Sequence, residues 1–159
     1  MKRIIVLFIT LISVLCLSSC KAEPPGPDSA FISDFSVTDG DTDYSGSIEL
    51  NESGMTISLN EPYTVSGISF TYNADGMSIS RGGLSAKANS DYIPSRAVPS
   101  VLHDALSYLS QAQYRSTEDG EDIYTLPTPY GEAELTAENG RIRSMKVPYA
   151  ALEFDFSGR

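Results

Sequence analysis

The chain has 159 residues, 21 of them acidic and 11 basic, for a formal net charge of −10. A field of that sign repels nucleic acid and anionic lipid head groups, so neither is expected to bind through the bulk surface charge. Two cysteines and a single histidine leave little for thiolate chemistry, a disulfide or a zinc site.

Lys2 and Arg3 precede an almost unbroken apolar run from Ile4 to Leu17, and the small residues Ser18 and Ser19 stand directly before Cys20. A charged start, a short apolar middle and a small-residue cleavage site make a secretory signal. The run is shorter than the roughly 20 residues a spanning helix needs, so a retained anchor is the weaker reading. Leu17-Ser18-Ser19-Cys20 resembles the lipobox of bacterial lipoproteins. The resemblance implies removal of residues 1–19, cleavage between Ser19 and Cys20, and acylation of the Cys20 thiol with palmitate-type chains. The protein would then be held by lipid on the extracytoplasmic face of a bacterial envelope membrane. An ordinary signal with a chance cysteine is the alternative. Cys16 does not compete, because Leu15 stands where a small residue is required. Loss of Lys2 and Arg3 with the leader leaves nine basic and 21 acidic residues, a formal charge of −12.

Residues 20–29 form the second segment, where Lys21 to Asp28 (KAEPPGPD) holds three prolines and a glycine without apolar periodicity. It reads as an extended tether. Residues 30–159 read as one domain. Phe31, Phe35 and Val37 alternate with polar neighbours up to Asp39-Gly40-Asp41-Thr42-Asp43. Tyr44, Ile48 and Leu50, then Met55, Ile57 and Leu59, repeat the pattern across Glu52-Ser53-Gly54. These are half-buried antiparallel strands joined by tight turns. A fourth strand is expected from Tyr63 through Val65, Ile68 and Phe70 to Tyr72, bent at Gly67. Met77 and Ile79, then Leu84 and Ala86, complete six strands in meander order.

One helix follows Pro94 and Pro99. Val98, Val101, Leu102, Ala105, Leu106, Leu109 and Ala112 fall on a single stripe, with Ser100, His103, Asp104 and Ser107 opposite. Strands resume at Tyr114 and Ile123-Tyr124-Leu126, around the turn Glu118-Asp119-Gly120-Glu121. Ala133, Leu135 and Ala137 lead through Asn139-Gly140, the strongest hairpin signal in the chain, to Ile142, Met145 and Val147. Leu152, Phe154 and Phe156 close the pattern. The fold class expected is mainly β: a curved antiparallel sheet or half-barrel of 10–11 strands, covered by one amphipathic helix.

Lipobox, proline-rich tether, a six-strand meander, one helix and a second meander form an order that resembles the LolA/LolB-like lipoprotein carriers and the related mycobacterial lipid-binding lipoproteins. The resemblance covers Phe31 to Phe156 and rests on element order. It implies an unclosed β-barrel whose concave face accommodates acyl chains.

No motif argues for catalysis. Asp39-Gly40-Asp41-Thr42-Asp43 opens like a calcium loop, but Tyr44 and Leu50 stand where that loop needs glycine and glutamate. His103 lies on the polar side of the helix beside Asp104, and adjacent helix residues do not face each other; it reads as a solvated side chain. No Gly-x-Ser-x-Gly and no phosphate-binding glycine loop occur. Catalytic, cofactor and metal residues are therefore none. Tyr63, Tyr72, Tyr124, Tyr130 and Tyr149 lie near strand ends, where the rim of a cavity would be. The function expected is a non-enzymatic, membrane-anchored lipoprotein binding lipid or acyl chains, with Ile48, Leu50, Met55, Ile57, Leu59, Ile68, Phe70, Leu135 and Phe154 as candidate lining. The alternative is a non-catalytic envelope adaptor in which those residues form a solid core.

Overall fold

A computed structural model describes residues 24–89 and 92–158; the leader, Ser19 and Cys20 lie outside the described residues. Six strands come first: β1 (Phe31–Asp39), β2 (Thr42–Asn51), β3 (Gly54–Glu61), β4 (Ile68–Asn73), β5 (Gly76–Arg81) and β6 (Leu84–Ala88). Helix α1 (Val98–Leu106) and one turn of 3-10 helix (Leu109–Gln111) follow. The chain then forms β7 (Gln113–Glu118), β8 (Glu121–Thr128), β9 (Gly131–Glu138), β10 (Arg141–Val147) and β11 (Leu152–Gly158).

All eleven strands form one antiparallel sheet in the order β6-β5-β4-β3-β2-β1-β11-β10-β9-β8-β7. The two meanders are joined by pairing of the first strand with the last, Phe35 opposite Phe156 and Val37 opposite Phe154. The free edges are β6 and β7, and α1 lies in the connection between them. Among the described residues the sheet is thus an unclosed barrel with one α-helix, as the element order implies.

Tight turns do what their residues demand. Asn139 and Gly140 adopt φ of 51° and 83°, the paired left-handed conformation of a two-residue hairpin, at little strain for Asn-Gly. Gly46 answers a different need. It stands opposite Phe35, and a Cβ there would fall 2.8 Å from the Phe35 ring and against the Ser58 carbonyl oxygen. Only a bare backbone lets that ring settle on β2. Asp39 to Asp43 is a hairpin turn, with the Thr38 hydroxyl donating to Asp43 Oδ1 at 2.8 Å.

Alternation assigns the two faces. The outer face carries hydroxyls in cross-strand pairs, Ser58 with Ser69 at 2.8 Å and Thr136 with Ser144 at 2.9 Å. The inner face is apolar. One row runs across six strands through Tyr124, Leu135, Met145, Phe154, Val37 and Tyr44. The register shift between Ile142 and Ser144 accounts for the three-residue step from Ile142 to Met145, since the extra residue keeps both inward. Val98, Val101, Leu102, Ala105 and Leu106 of α1 are buried against this face.

Two boundaries differ from expectation. Tyr63–Gly67 is a loop rather than the start of β4. The Val65 amide bonds to the Pro62 carbonyl at 3.0 Å, the Ile68 amide bonds to the Val65 carbonyl at 3.1 Å, and Gly67 has φ of 77°. Successive turn bonds there replace ladder pairing. The helix also ends early, at Leu106: the Ser107 amide still bonds to the His103 carbonyl four residues back, at 2.9 Å, but the Tyr108 amide turns to the Ala105 carbonyl three residues back, at 3.2 Å, and a 3-10 turn follows. Leu109 still reaches the core, through the 3-10 turn.

The proline-rich segment is fastened where it is described. The Tyr124 hydroxyl donates to the Pro25 carbonyl at 2.7 Å, and the Asp28 amide donates to the Gly140 carbonyl at 2.9 Å.

Candidate functional site

The nine candidate lining residues divide by burial. Ile48, Met55, Ile57, Leu59, Leu135 and Phe154 are buried in the core shared with α1, whereas Leu50, Ile68 and Phe70 are half-exposed. In one cross-strand row, burial declines from Ile48 and Ile57 through Phe70 and Ile79 to Ala86 on the edge strand. The helix therefore fills the centre of the trough with its own side chains and leaves the β4–β6 limb partly uncovered. The six buried residues would line a ligand space only if α1 moved.

Open space lies beside the helix instead, in two clefts. The first, of about 350 Å³, is mainly apolar, with Leu50, Met55, Leu106 and Leu109 among its walls and Ser29 at its margin. The second, of about 330 Å³, is polar and is lined by Ile93, Ser95, Ser100, Asp104 and Tyr130. Tyr72 and His103 line both and form a wall that the two clefts share.

His103 is not the solvated residue that its helix position implies. Its ring stacks on Tyr72 with centroids 3.9 Å apart, and its Nδ1 lies 3.2 Å from Asp104 Oδ1. Helix geometry sends adjacent side chains in different directions. The stack on β4, an element the helical wheel does not include, holds the imidazole back toward its neighbour.

Of the five rim tyrosines, Tyr124 is core and Tyr63 is exposed on the β3–β4 loop. The other three converge. Tyr130 and Tyr149 pack at 5.1 Å, and Asp104 acts electrostatically on both Tyr72 and Tyr149. The Tyr72 and Tyr149 hydroxyls are buried with no hydrogen-bond partner. Burial first, then the Asp104 carboxylate, pushes each phenol up to about 12; Tyr130 adds to the rise at Tyr149. Sequence spacing could not reveal this cluster, because its members come from β4, α1 and the β8–β9 and β10–β11 turns.

The raised phenols set the direction of an alkaline effect. Below pH 10 a phenol is protonated in both folded and unfolded chains. Above it, only the unfolded chain ionises until about pH 12, so stability declines across that window. For Tyr72 the loss is expected to be about 2 kcal/mol. Urea unfolding of wild type and Tyr72→Phe at pH 9 and pH 12 measures it: the variant should lose less stability than wild type by about that amount. The same variant removes a buried unpaired hydroxyl and should gain about 1 kcal/mol at neutral pH.

Among the described residues, no group of three or more His, Cys, Asp or Glu side chains comes together as a metal site, and no helix is long and apolar enough to cross a membrane. No protein-family model matches the sequence, and no curated protein matches it. In chain path the protein is similar to the crystal structure of LolA superfamily protein NE2245 from Nitrosomonas europaea. That likeness has a TM-score of 0.44 at 11% identity and covers 80% of this chain and 84% of the other.

Proposed function

We propose that this chain is a non-enzymatic, lipid-anchored protein of the bacterial cell envelope that binds one apolar chain of a lipid in the cleft beside α1. The leader and Cys20 support the location. What carries the binding reading is the cleft of about 350 Å³ walled by Leu50, Met55, Leu106 and Leu109. Its size falls within the range of small-molecule sites. The trough beneath the helix is occupied by protein side chains, so the ligand lies beside α1 and reaches the trough only as α1 swings away.

The filled core favours one other reading, an adaptor whose core is solid and whose partners are proteins. Two measurements separate them. Mass spectrometry of protein extracted from its native host is expected to show a co-purifying lipid. A fluorescent long-chain fatty acid is expected to bind wild type and to bind at least 10-fold more weakly to Leu50→Trp, which fills the cleft from a half-exposed position. Absence of lipid together with no probe binding gives the adaptor reading.

A further inference from the structure

The unclosed sheet leaves two free edges, and the two are unlike. Strand β7 is blunted: its pairing with β8 shifts register between Tyr114 and Ser116, and a bulge of that kind turns an edge away from further pairing. Strand β6 pairs with β5 through five successive residues, Leu84 to Ala88, without a shift. Among the described residues β6 ends the sheet order, with β5 its one strand partner. Leu84, Ser85, Ala86 and Lys87 are exposed on both phases of the strand, Leu84 at 79%. A straight edge without proline presents a row of amide and carbonyl groups to any extended chain.

Charge sets this edge apart from the rest of the molecule. The chain carries −10, yet from Gly76 to Ala88 it holds Arg81 and Lys87 and no acidic residue. Both cations are exposed. Lys87 stands opposite Ser78 on the hydroxyl face, and Arg81 is paired with Leu84 on the apolar one. Asp75, in the β4–β5 turn, is the acidic residue nearest in sequence. Strand β4 has none, and the first carboxylate met farther along the sheet is Glu61, at the end of β3. Three strand spacings put it about 14 Å from β6, beyond the Debye length of about 8 Å at physiological salt. A chain docking on this edge therefore meets a positive field. A second copy presenting its own β6 would bring further positive charge to the same place.

We propose that β6 is a docking edge for an extended acidic segment of another protein, which adds to the sheet as a further strand. In this mode main-chain hydrogen bonds supply affinity and alternate side chains supply selectivity. One phase of the segment carries carboxylates toward Lys87. The other sets apolar side chains beside Leu84 and Ala86, in line with half-exposed Ile79 and Phe70. The edge shares no lining residue with either cleft, so its failure and that of the lipid reading are separable.

Fluorescence anisotropy of labelled peptides on the intact protein in a nonionic detergent tests it. The probes are a heptapeptide of alternating valine and glutamate, its valine–lysine counterpart, and the glutamate peptide with every backbone amide methylated. The glutamate peptide is expected to bind roughly 10-fold more tightly than the lysine peptide, and to weaken as salt is raised. Methylation should abolish binding, because it removes the donors a ladder needs. Lys87→Glu, at an exposed position, should reverse the preference between the two charged peptides with unchanged circular dichroism. Equal binding of those two peptides, or binding that ignores Lys87→Glu, overturns the acidic partner. Binding that survives methylation overturns strand addition. No binding by either charged peptide overturns the whole proposal, and binding lost as the protein dimerises gives the edge to a second copy instead.

Discussion

Phe154→Ala is expected to cost about 3–5 kcal/mol of folding stability, the range for truncating a buried aromatic side chain. Phe154 is fully buried in β11, between Met145 on β10 and Val37 on β1, with the Phe35 and Phe156 rings 6.3 and 6.4 Å away. This is the seam where first and last strands meet, so the cavity would open at the junction of the two meanders. Domains of this size hold about 5–15 kcal/mol in total, and the variant should unfold at markedly lower urea. Glu153→Ala is the control: its side chain is exposed and its 3.4 Å contact with Lys146 is a surface ion pair, so its effect should stay within about 1 kcal/mol. If the two variants unfold together, the inner face of β11 is not the core.

Cys20→Ala is expected to abolish acylation. Cells fed labelled palmitate should incorporate it into the wild-type chain and not into the variant, since the thiol is the acceptor in the lipobox reading. The effect is all or none. Label on the alanine variant would remove the anchor assignment and with it the envelope location.

Period-two alternation exposed nearly every strand because each has one apolar and one polar face, and a half-buried sheet writes that difference into successive residues. Helix α1 was legible for the same reason at another period, with all its apolar positions buried. Alternation says nothing of how bends and turns compete with pairing, hence the misplaced Tyr63–Gly67 loop. The candidate site was less accessible. Ile48, Ile57, Leu135 and Phe154 look identical in sequence whether they line a hollow or fill it, because both arrangements need inward apolar residues. Which one occurs depends on how closely α1 approaches, a tertiary quantity. Asp104 shows the same limit: the helical wheel put it on the wet side, and only the curl of the sheet brings Tyr72 and Tyr149 to it.

The hydrogen bonds at Pro25 and Asp28 bear on orientation. Five residue steps separate Cys20 from Pro25, an extended reach of about 17 Å. With Cys20 acylated, a leash that short prevents the domain from tumbling freely above the bilayer. Ser29, at the margin of the apolar cleft, lies just beyond the pinned residues. On the proposed anchor, the end of the domain where Tyr124 holds Pro25 would stay within that reach of the bilayer.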